Sequence, residues 1–266
     1  MGLFLTPGTL YAGDGLVVEI LQPSVSDLRG RPISIFRNRK GIWGVVAQAF
    51  CDAYTRFAMF DIKWPGGTND IVAYAMSTLY NLATSGFFSD WATFVCDEAY
   101  SSIGGVHLTP FSIHQLKRAK ASSDDSTYFK MLAFNNVLSS QRITIERAFG
   151  ILIRRWGILW RPIEFELRKV AKKVRVCAML HNICVDRWLI NRARNRHVGD
   201  FDTPSQVDLD DELSPSDQAI IDRLHNDHSF QKKRAADCSL RTTLMQDIYD
   251  AGIRTTCDTE FNQIPL

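Results

Sequence analysis

The sequence predicts an α/β protein, because strand-like and helix-like segments follow one another in an order that suits a mixed sheet. Three apolar segments with β-branched residues come first, then a helical segment and a further strand, and finally helices. The composition agrees with a globular chain, since 45% of the 266 residues are hydrophobic and 23% are charged. We expect a mixed sheet flanked by helices in residues 1–196 and a poorly ordered acidic extension in residues 197–266.

The first three strands are predicted from their apolar character and from the breaks between them. Residues 10–21 form the first strand candidate, and the glycines on both sides of Asp14 leave room for another group to approach that residue closely. Residues 42–50 and 57–64 are the next two candidates. The short polar segment 51–56 between them predicts a hairpin.

A helix and a fourth strand follow the break at Pro65-Gly66-Gly67. Apolar residues at helical spacing predict one helix that begins near Ile71 and ends near Gly86. The short apolar segment 92–96 is typical of a strand buried on both faces, and it ends in Asp97. A right-handed crossover over the helix would place this strand parallel to the first one, which brings Asp14 and Asp97 to neighbouring strands.

A later helix, within residues 142–156, carries one carboxylate among arginines. At 3.6 residues per turn, an apolar stripe forms on one face, and Glu146 lies at its edge, so we expect its side chain to point toward the margin of the core. The alternative is a surface glutamate that makes helical ion pairs with its arginine neighbours. The stripe consists of Ile145, Phe149, Leu152 and Trp156.

The last predicted helix, roughly residues 170–189, carries Val174, Cys177, Ala178, Leu180 and Ile183 inward. Cys177, His181 and Cys184 are spaced so that they share one face, as the ligands of a structural zinc ion would. The helix offers no obvious fourth ligand, and its apolar neighbours favour a buried Cys/His face instead.

Charge is segregated along the chain, although the net charge is only +2. Residues 142–196 are basic, which suits either a polyanionic partner or an ordinary solvated helix face. Residues 199–217 are acidic and rich in Ser and Pro, which suits a solvated linker. No apolar run approaches the roughly 20 residues of a membrane-spanning helix, and no signal peptide is recognisable, so we expect no membrane partner and an intracellular protein.

Three carboxylates that meet at one point repel one another unless cations hold them. Asp14, Asp97 and Glu146 would therefore suit hard divalent ions with oxygen ligands, with Mg²⁺ expected and Mn²⁺ able to substitute. Two such ions can activate a water or a 3′-hydroxyl and stabilise the leaving oxygen, which is the chemistry of phosphodiester cleavage and transfer.

Eight short segments of the chain carry a recognisable pattern: Gly13-Asp14-Gly15-Leu16, Asn38-Arg39-Lys40-Gly41, Cys51-Asp52-Ala53, Trp64-Pro65-Gly66-Gly67-Thr68-Asn69-Asp70, Cys96-Asp97-Glu98-Ala99-Tyr100, Thr109-Pro110-Phe111, Arg142 to Gly150, and Leu180-His181-Asn182-Ile183-Cys184. In this order they resemble the Harbinger-type DDE transposases and the nucleases derived from them, over about residues 9–188. The resemblance implies an RNase H-like fold, an Asp14, Asp97 and Glu146 catalytic triad that holds the metal ions, and Asp70 as an additional metal-site residue.

Two other aspartates on these segments have alternative roles. Asp70 would also stabilise a helix dipole from the first turn, with Thr68 as the cap, and no metal is needed for that role. Asp52 follows a predicted strand, but the hairpin leaves it in a turn, so we expect it to lie outside the metal site.

The resemblance also implies DNA as the substrate and action in the nucleus. The basic residues Arg142, Arg147, Arg154, Arg155 and Arg161 are candidates for phosphate contacts, which give salt-sensitive affinity and little sequence choice.

Members of the family usually carry an N-terminal helical DNA-binding region, whereas this chain starts a few residues before its first strand. We expect either a truncated copy or a separate DNA-binding partner protein, and a homo-oligomer stays open. The second hypothesis is a non-catalytic descendant that binds DNA or a protein.

Overall fold

The computed structural model describes residues 8–28, 30–88, 92–100, 106–122, 125–195, 245–246 and 249–250. Its strands are β1 (Thr9–Glu19), β2 (Gly44–Cys51), β3 (Phe57–Pro65), β4 (Thr93–Val95) and β5 (His107–Leu108). Its helices are α1 (Val25–Leu28), α2 (Asp70–Ala75), α3 (Thr78–Thr84), α4 (Ile113–Ala121), α5 (Asp125–Arg155) and α6 (Leu167–Asn195).

The strands form one mixed sheet in the order β3-β2-β1-β4-β5. β2 and β3 are antiparallel, whereas β4 runs parallel to both β1 and β5. The predicted α/β fold with a mixed sheet and flanking helices is therefore confirmed, together with the hairpin and the parallel pairing of β1 with β4. In that pairing Ala12 lies opposite Val95.

The described residues divide into two compact units, and β1 and α5 each contribute residues to both. The first unit contains residues 13–82 and 144–195, and the second contains residues 8–12, most of the chain from 83 to 143, and residues 245–246 and 249–250. The predicted boundary at residue 197, the acidic segment 199–217 and the extension to residue 266 lie outside the described residues, apart from two short helical pieces at 245–246 and 249–250.

The first unit has its core between the hairpin, the end of β1 and the start of α6. Every residue of β2 is buried, as expected for a central strand. The core residues are Val18, Ile20, Leu28, Phe36, Val45, Ala47, Ile62, Ile163, Val170 and Val174.

The turn between β2 and β3 is fixed by polar contacts from Asp52. Its Oδ1 accepts the N–H groups of Tyr54 and Arg56 at 2.9 and 3.0 Å, and its Oδ2 lies 2.7 Å from Arg56 Nε. Both Asp52 and Asp186 hold the pKa of the Arg56 guanidinium above its ordinary value through hydrogen bonds. Thr55 adopts a positive φ of 67°, and it is alone in this among the non-glycine residues of the described ranges.

Helix α6 attaches to this hairpin through two consecutive residues. Asn182 Oδ1 accepts the N–H of Phe57 at 2.8 Å, and Asn182 Nδ2 donates to the Phe57 carbonyl at 2.8 Å. His181 is fully buried, and its Nε2 lies 2.8 Å from the carbonyl of Thr55, so Nε2 is the protonated nitrogen of the neutral ring. The His181 ring also packs on Phe57, with the ring centroids 4.9 Å apart.

The second unit has a separate core around β4, β5 and the first part of α5. Its members are Val95, Leu108, Phe111, Phe134, Val137, Leu138 and Met245. Asn135 in α5 repeats the arrangement of Asn182, because its Oδ1 accepts the N–H of Phe111 at 2.7 Å and its Nδ2 donates to the Phe111 carbonyl at 2.9 Å. Helix α4 begins with a capping box between Ser112 and Gln115.

The structure corrects two expectations about the helices. The single helix predicted from Ile71 to Gly86 is two helices, because the Ser77 hydroxyl accepts the N–H of Tyr80 and starts a new one. Leu180 and Ile183 are exposed by 38% and 57%, so they do not face the core as predicted. The inward face of α6 instead follows Val170, Val174, Cys177, Ala178, His181 and Val185.

Candidate functional site

Asp14 lies in the middle of β1, and both of its glycine neighbours are required by close packing. A Cβ on Gly13 would clash with the Phe50 ring, and a Cβ on Gly15 would clash with Asp70 Oδ1. The room that these glycines were expected to leave is therefore used by Phe50 and Asp70. Asp14 itself is half-buried, and its Oδ1 accepts the N–H of Gly15 at 2.8 Å.

Asp70 is the first residue of α2 and is half-buried. The cap of this helix is Asn69 and not Thr68 as predicted, because Asn69 Oδ1 accepts the N–H of Ile71 at 3.0 Å. The Asp70 side chain is directed back to the sheet, where its Oδ1 accepts a hydrogen bond from Gln48 Nε2 at 3.2 Å. Within the first unit, β1 and α2 thus bring the Asp70 carboxylate against the residue that follows Asp14.

Gln48 is the site residue that the sequence reasoning missed. It is fully buried in β2, where its neighbours Ala47 and Ala49 are apolar. A buried amide needs hydrogen-bond partners, so a lone glutamine inside an apolar strand is a signal for a specific contact. The sequence carried that signal, but it did not indicate Asp70 as the partner.

Glu146 occupies the part of α5 that belongs to the first unit. Ile145, Ala148, Phe149 and Leu152 are buried as the apolar stripe predicted, whereas Trp156 is half-buried and lies just beyond the helix. Glu146 is exposed, although it lies at the edge of this stripe. At 3.6 residues per turn Glu146 lies about 60° around the helix from the buried Phe149, so its side chain leaves the helix just outside the buried face.

Asp97 belongs to the second unit and follows β4 directly. It is half-buried, its Oδ1 accepts the N–H of Glu98 at 2.7 Å, and its carbonyl accepts the N–H of Tyr100 at 3.0 Å. Asp97 and Asp14 therefore share a local geometry, in which one carboxylate oxygen accepts the N–H of the next residue.

The carboxylates fit a hard divalent cation by their chemistry. Within the residues that the structure covers, no group of three or more His, Cys, Asp or Glu side chains is arranged to hold a metal ion. Mg²⁺ in enzymes is commonly held by one or two carboxylates together with waters and the phosphates of the substrate. Asp14 and Asp70 each match that ligand type, but the Asp70 carboxylate meets β1 on the face of Gly15, and the side chain of Asp14 points to the opposite face of the strand.

The five candidate arginines differ in their surroundings. Arg147, Arg154, Arg155 and Arg161 are exposed, and Arg142 is half-buried. Arg155 also contacts α6, since its Nη1 lies 3.3 Å from the His181 carbonyl and 3.5 Å from His181 Nδ1. Arg155 is therefore engaged in packing α5 against α6.

One face of α6 carries Cys177, His181 and Cys184. The sequence favoured a packed face over a zinc site there, and the structure shows a packed face. Cys177 and His181 are buried, and the two ring nitrogens of His181 face Thr55 and Arg155. Burial lowers the pKa of His181, and the charge of Arg155 lowers it further. Burial raises the pKa of the Cys177 thiol, which disfavours the thiolate that zinc requires.

Asp52 lies in the hairpin turn as expected, where Arg56 and backbone N–H groups occupy its carboxylate. Among the helices in the described ranges, none is long and apolar enough to cross a membrane.

The family model for DDE superfamily endonucleases matches residues 13–182, a range that includes Asp14, Asp70, Asp97 and Glu146. The chain belongs to the DDE superfamily endonucleases. Its match confirms the resemblance that the sequence motifs predicted. A protein from Bos taurus described as putative nuclease HARBI1 is 22% identical over 191 residues.

That match covers 71% of this chain and 49% of the bovine protein, so the chain spans about half the length of the curated relative it matches. No solved structure matches this DDE superfamily endonuclease chain. The family assignment identifies an endonuclease domain.

Proposed function

We propose that this protein is a metal-dependent DNA endonuclease of transposase type, which cleaves phosphodiester bonds and transfers the resulting strand. Asp14, Asp97 and Glu146 form the catalytic triad and the metal ligands in this proposal. Asp70 meets β1 on the face opposite to Asp14, so its role here is the alternative one, the stabilisation of the first turn of α2. The observation that carries the proposal is the match of residues 13–182 to the DDE superfamily endonucleases, a range that contains Asp14, Asp97 and Glu146.

Each residue has a role that follows from its chemistry. Bound Mg²⁺ or Mn²⁺ would supply an activated oxygen nucleophile and would stabilise the leaving oxygen. The aspartates and Glu146 would orient the cations through hard oxygen atoms. The N–H groups of Gly15 and Glu98 orient the carboxylates of Asp14 and Asp97, so that their positions are fixed before DNA binds.

The exposed arginines would hold the DNA backbone. Arg147, Arg154 and Arg161 lie on or just after the helix that carries Glu146, and their charge suits phosphate contacts. Arg142 and Arg155 would add to this surface, with Arg155 shared between DNA and α6. Recognition of a specific sequence would come from a separate DNA-binding partner, because phosphate contacts alone carry no sequence information. The site of action in this proposal is the nucleus.

Nicking of supercoiled plasmid by the purified chain, with Mg²⁺ or Mn²⁺, tests the proposal. We expect Glu146→Gln and Asp97→Asn to lower the nicking rate by about a hundredfold or more, as the loss of several kcal/mol of transition-state stabilisation implies. Circular dichroism checks that each variant is folded. DNA binding should be nearly unchanged in Asp97→Asn, so an equal loss of binding and cleavage would contradict the assigned role.

The second candidate is a non-catalytic DNA-binding protein derived from a transposase, which the exposed arginines near Glu146 favour. A folded wild-type chain that binds DNA with strong salt dependence but nicks it with neither metal would support this candidate and overturn the nuclease proposal.

A further inference from the structure

Trp160 presents its ring to water, although the ring is held in place. The residue lies shortly after the end of α5 and is 68% exposed. Its indole Nε1 donates a hydrogen bond to the carbonyl of Ile153 at 2.7 Å. Ile153 is among the last four residues of α5, whose carbonyls have no partner within the helix, so the bond suits both groups. The ring is therefore fixed by its edge, and most of its surface stays exposed.

Other aromatic rings at the surface of the first unit are covered by a cation of the chain itself. Arg192 lies 5.3 Å from the ring centroid of Trp188, and Lys173 Nζ lies 3.4 Å from that of Phe165. These two rings belong to residues that are 46% and 45% exposed. Among the described residues, no aromatic ring or cation stacks on Trp160 in this way. Trp160 is thus the more exposed ring, and it is open to a partner from outside.

Two arginines flank this ring. Arg161 is the next residue, and Arg154 directly follows Ile153, whose carbonyl holds the ring. Both arginines are exposed, and neither forms an ion pair within the part of the chain that the structure describes. Free cations beside an open aromatic ring are typical of surfaces that bind single-stranded nucleic acids, where the cations contact phosphates and a base stacks on the ring.

The position of the ring relates it to Glu146. Ile153 follows Glu146 by seven residues on α5, so it lies on nearly the same side of the helix, about 10 Å further along the axis. Gly150 lies between them and has open space at its Cβ position. A DNA strand can therefore follow this side of α5 from Glu146 to the ring.

We propose that Trp160 is a stacking platform for an unpaired base of DNA, with Arg154 and Arg161 on the phosphates that flank this base. The inference rests on the proposed function for its substrate, and it adds that the DNA is bound with a base outside the duplex stack. Every base has a π face, so the contact selects unpaired DNA and not a sequence. It assigns Trp160 no chemical step.

The test compares the binding of the full chain to two single strands of about 12 nucleotides, a length within the range for such surfaces. One strand carries bases and the other is abasic, so both have the same phosphate charge. Fluorescence anisotropy at fixed salt measures both affinities. We expect the wild type to bind the strand with bases about 5- to 150-fold more tightly, which corresponds to the 1–3 kcal/mol of one stacked base. Trp160→Ala should lose this preference and should keep the wild-type affinity for the abasic strand.

Two further variants separate stacking from a merely structural role, and circular dichroism checks that each is folded. Trp188→Ala is the matched control, because Arg192 already covers that ring, and it should keep the preference within about twofold. Trp160→Phe keeps an aromatic ring without the N–H, so it should retain part of the preference. Equal losses in Trp160→Phe and Trp160→Ala, equal losses in Trp160→Ala and Trp188→Ala, or a parallel fall for both strands in Trp160→Ala would overturn the inference.

The outcomes also separate this inference from the proposed function. If the wild type nicks plasmid and Trp160→Ala keeps the wild-type preference for bases, the inference fails and the nuclease stands. If the wild type nicks with neither metal but its preference for bases is lost in Trp160→Ala, the inference stands and the nuclease fails. A folded wild type that neither binds these strands nor nicks plasmid overturns both.

Discussion

The contact between Asn182 and Phe57 provides a prediction whose size can be worked from the structure. Asn182→Ala removes two hydrogen bonds of 2.8 Å, one to the N–H and one to the carbonyl of Phe57. Each such bond contributes about 1 kcal/mol net, and a buried group left without a partner costs about 1–3 kcal/mol. Phe57 is buried at 6% exposure, whereas Asn182 is half-buried, so water can reach the vacated position only in part.

We therefore expect Asn182→Ala to lower the free energy of unfolding by about 2–4 kcal/mol, a large share of the roughly 5–15 kcal/mol typical of a domain. Urea unfolding at pH 7 measures it as a shift of the midpoint at constant slope. The neighbouring Ile183 is 57% exposed, so Ile183→Ala should change stability by no more than about 0.5 kcal/mol. A loss below about 1 kcal/mol for Asn182→Ala, at unchanged slope, would refute the reasoning.

Three other outcomes follow from single residues. Gly150 lies within α5 with open space at its Cβ position, so Gly150→Ala should raise the free energy of unfolding by about 0.5–1 kcal/mol, measured by urea unfolding. The folded-state pKa of His181 is lowered, so its contribution to stability is present above its unfolded value of about 6.5 and is lost as the pH falls below it. Thermal unfolding between pH 7.5 and 5.5 should show this loss, and His181→Gln should reduce it; an equal pH dependence in that variant would contradict the assignment. Cys184 is half-buried whereas Cys51 is buried with a raised thiol pKa, so alkylation mapped by mass spectrometry should modify Cys184 well before Cys51, and equal rates would count against this packing.

The main strands could be predicted because their signals are local. The apolar segments of β1 to β4 and the breaks between them are visible in the sequence, and the right-handed crossover rule then fixes the parallel pairing of β1 with β4. β5 has only two residues, and its strand character comes from pairing with β4, which no local pattern records. Helix α4 was missed although its capping box, Ser112 with Gln115, is readable as a start signal.

The candidate site was predicted less completely, because its contacts join residues far apart in the chain. The glycines beside Asp14 correctly indicated a close approach, but only the packed structure shows that Phe50 and Asp70 make it. The exposed fraction of the Glu146 side chain was not predicted, because an apolar stripe gives the direction of a neighbouring side chain only to within part of a helical turn. The pairing of Gln48 with Asp70 depends on the position of α2 over the hairpin, which propensity cannot supply.

The left-handed backbone of Thr55 has a consequence for protein engineering. A β-branched residue at positive φ costs on the order of 1 kcal/mol, and such a conformation persists where the surroundings impose it. Here the N–H of Thr55 bonds to the Asp52 carbonyl, and its own carbonyl accepts from His181. Glycine could keep both bonds without the steric penalty. Replacement of Thr55 by glycine is therefore a single change that should raise the thermal stability of the protein.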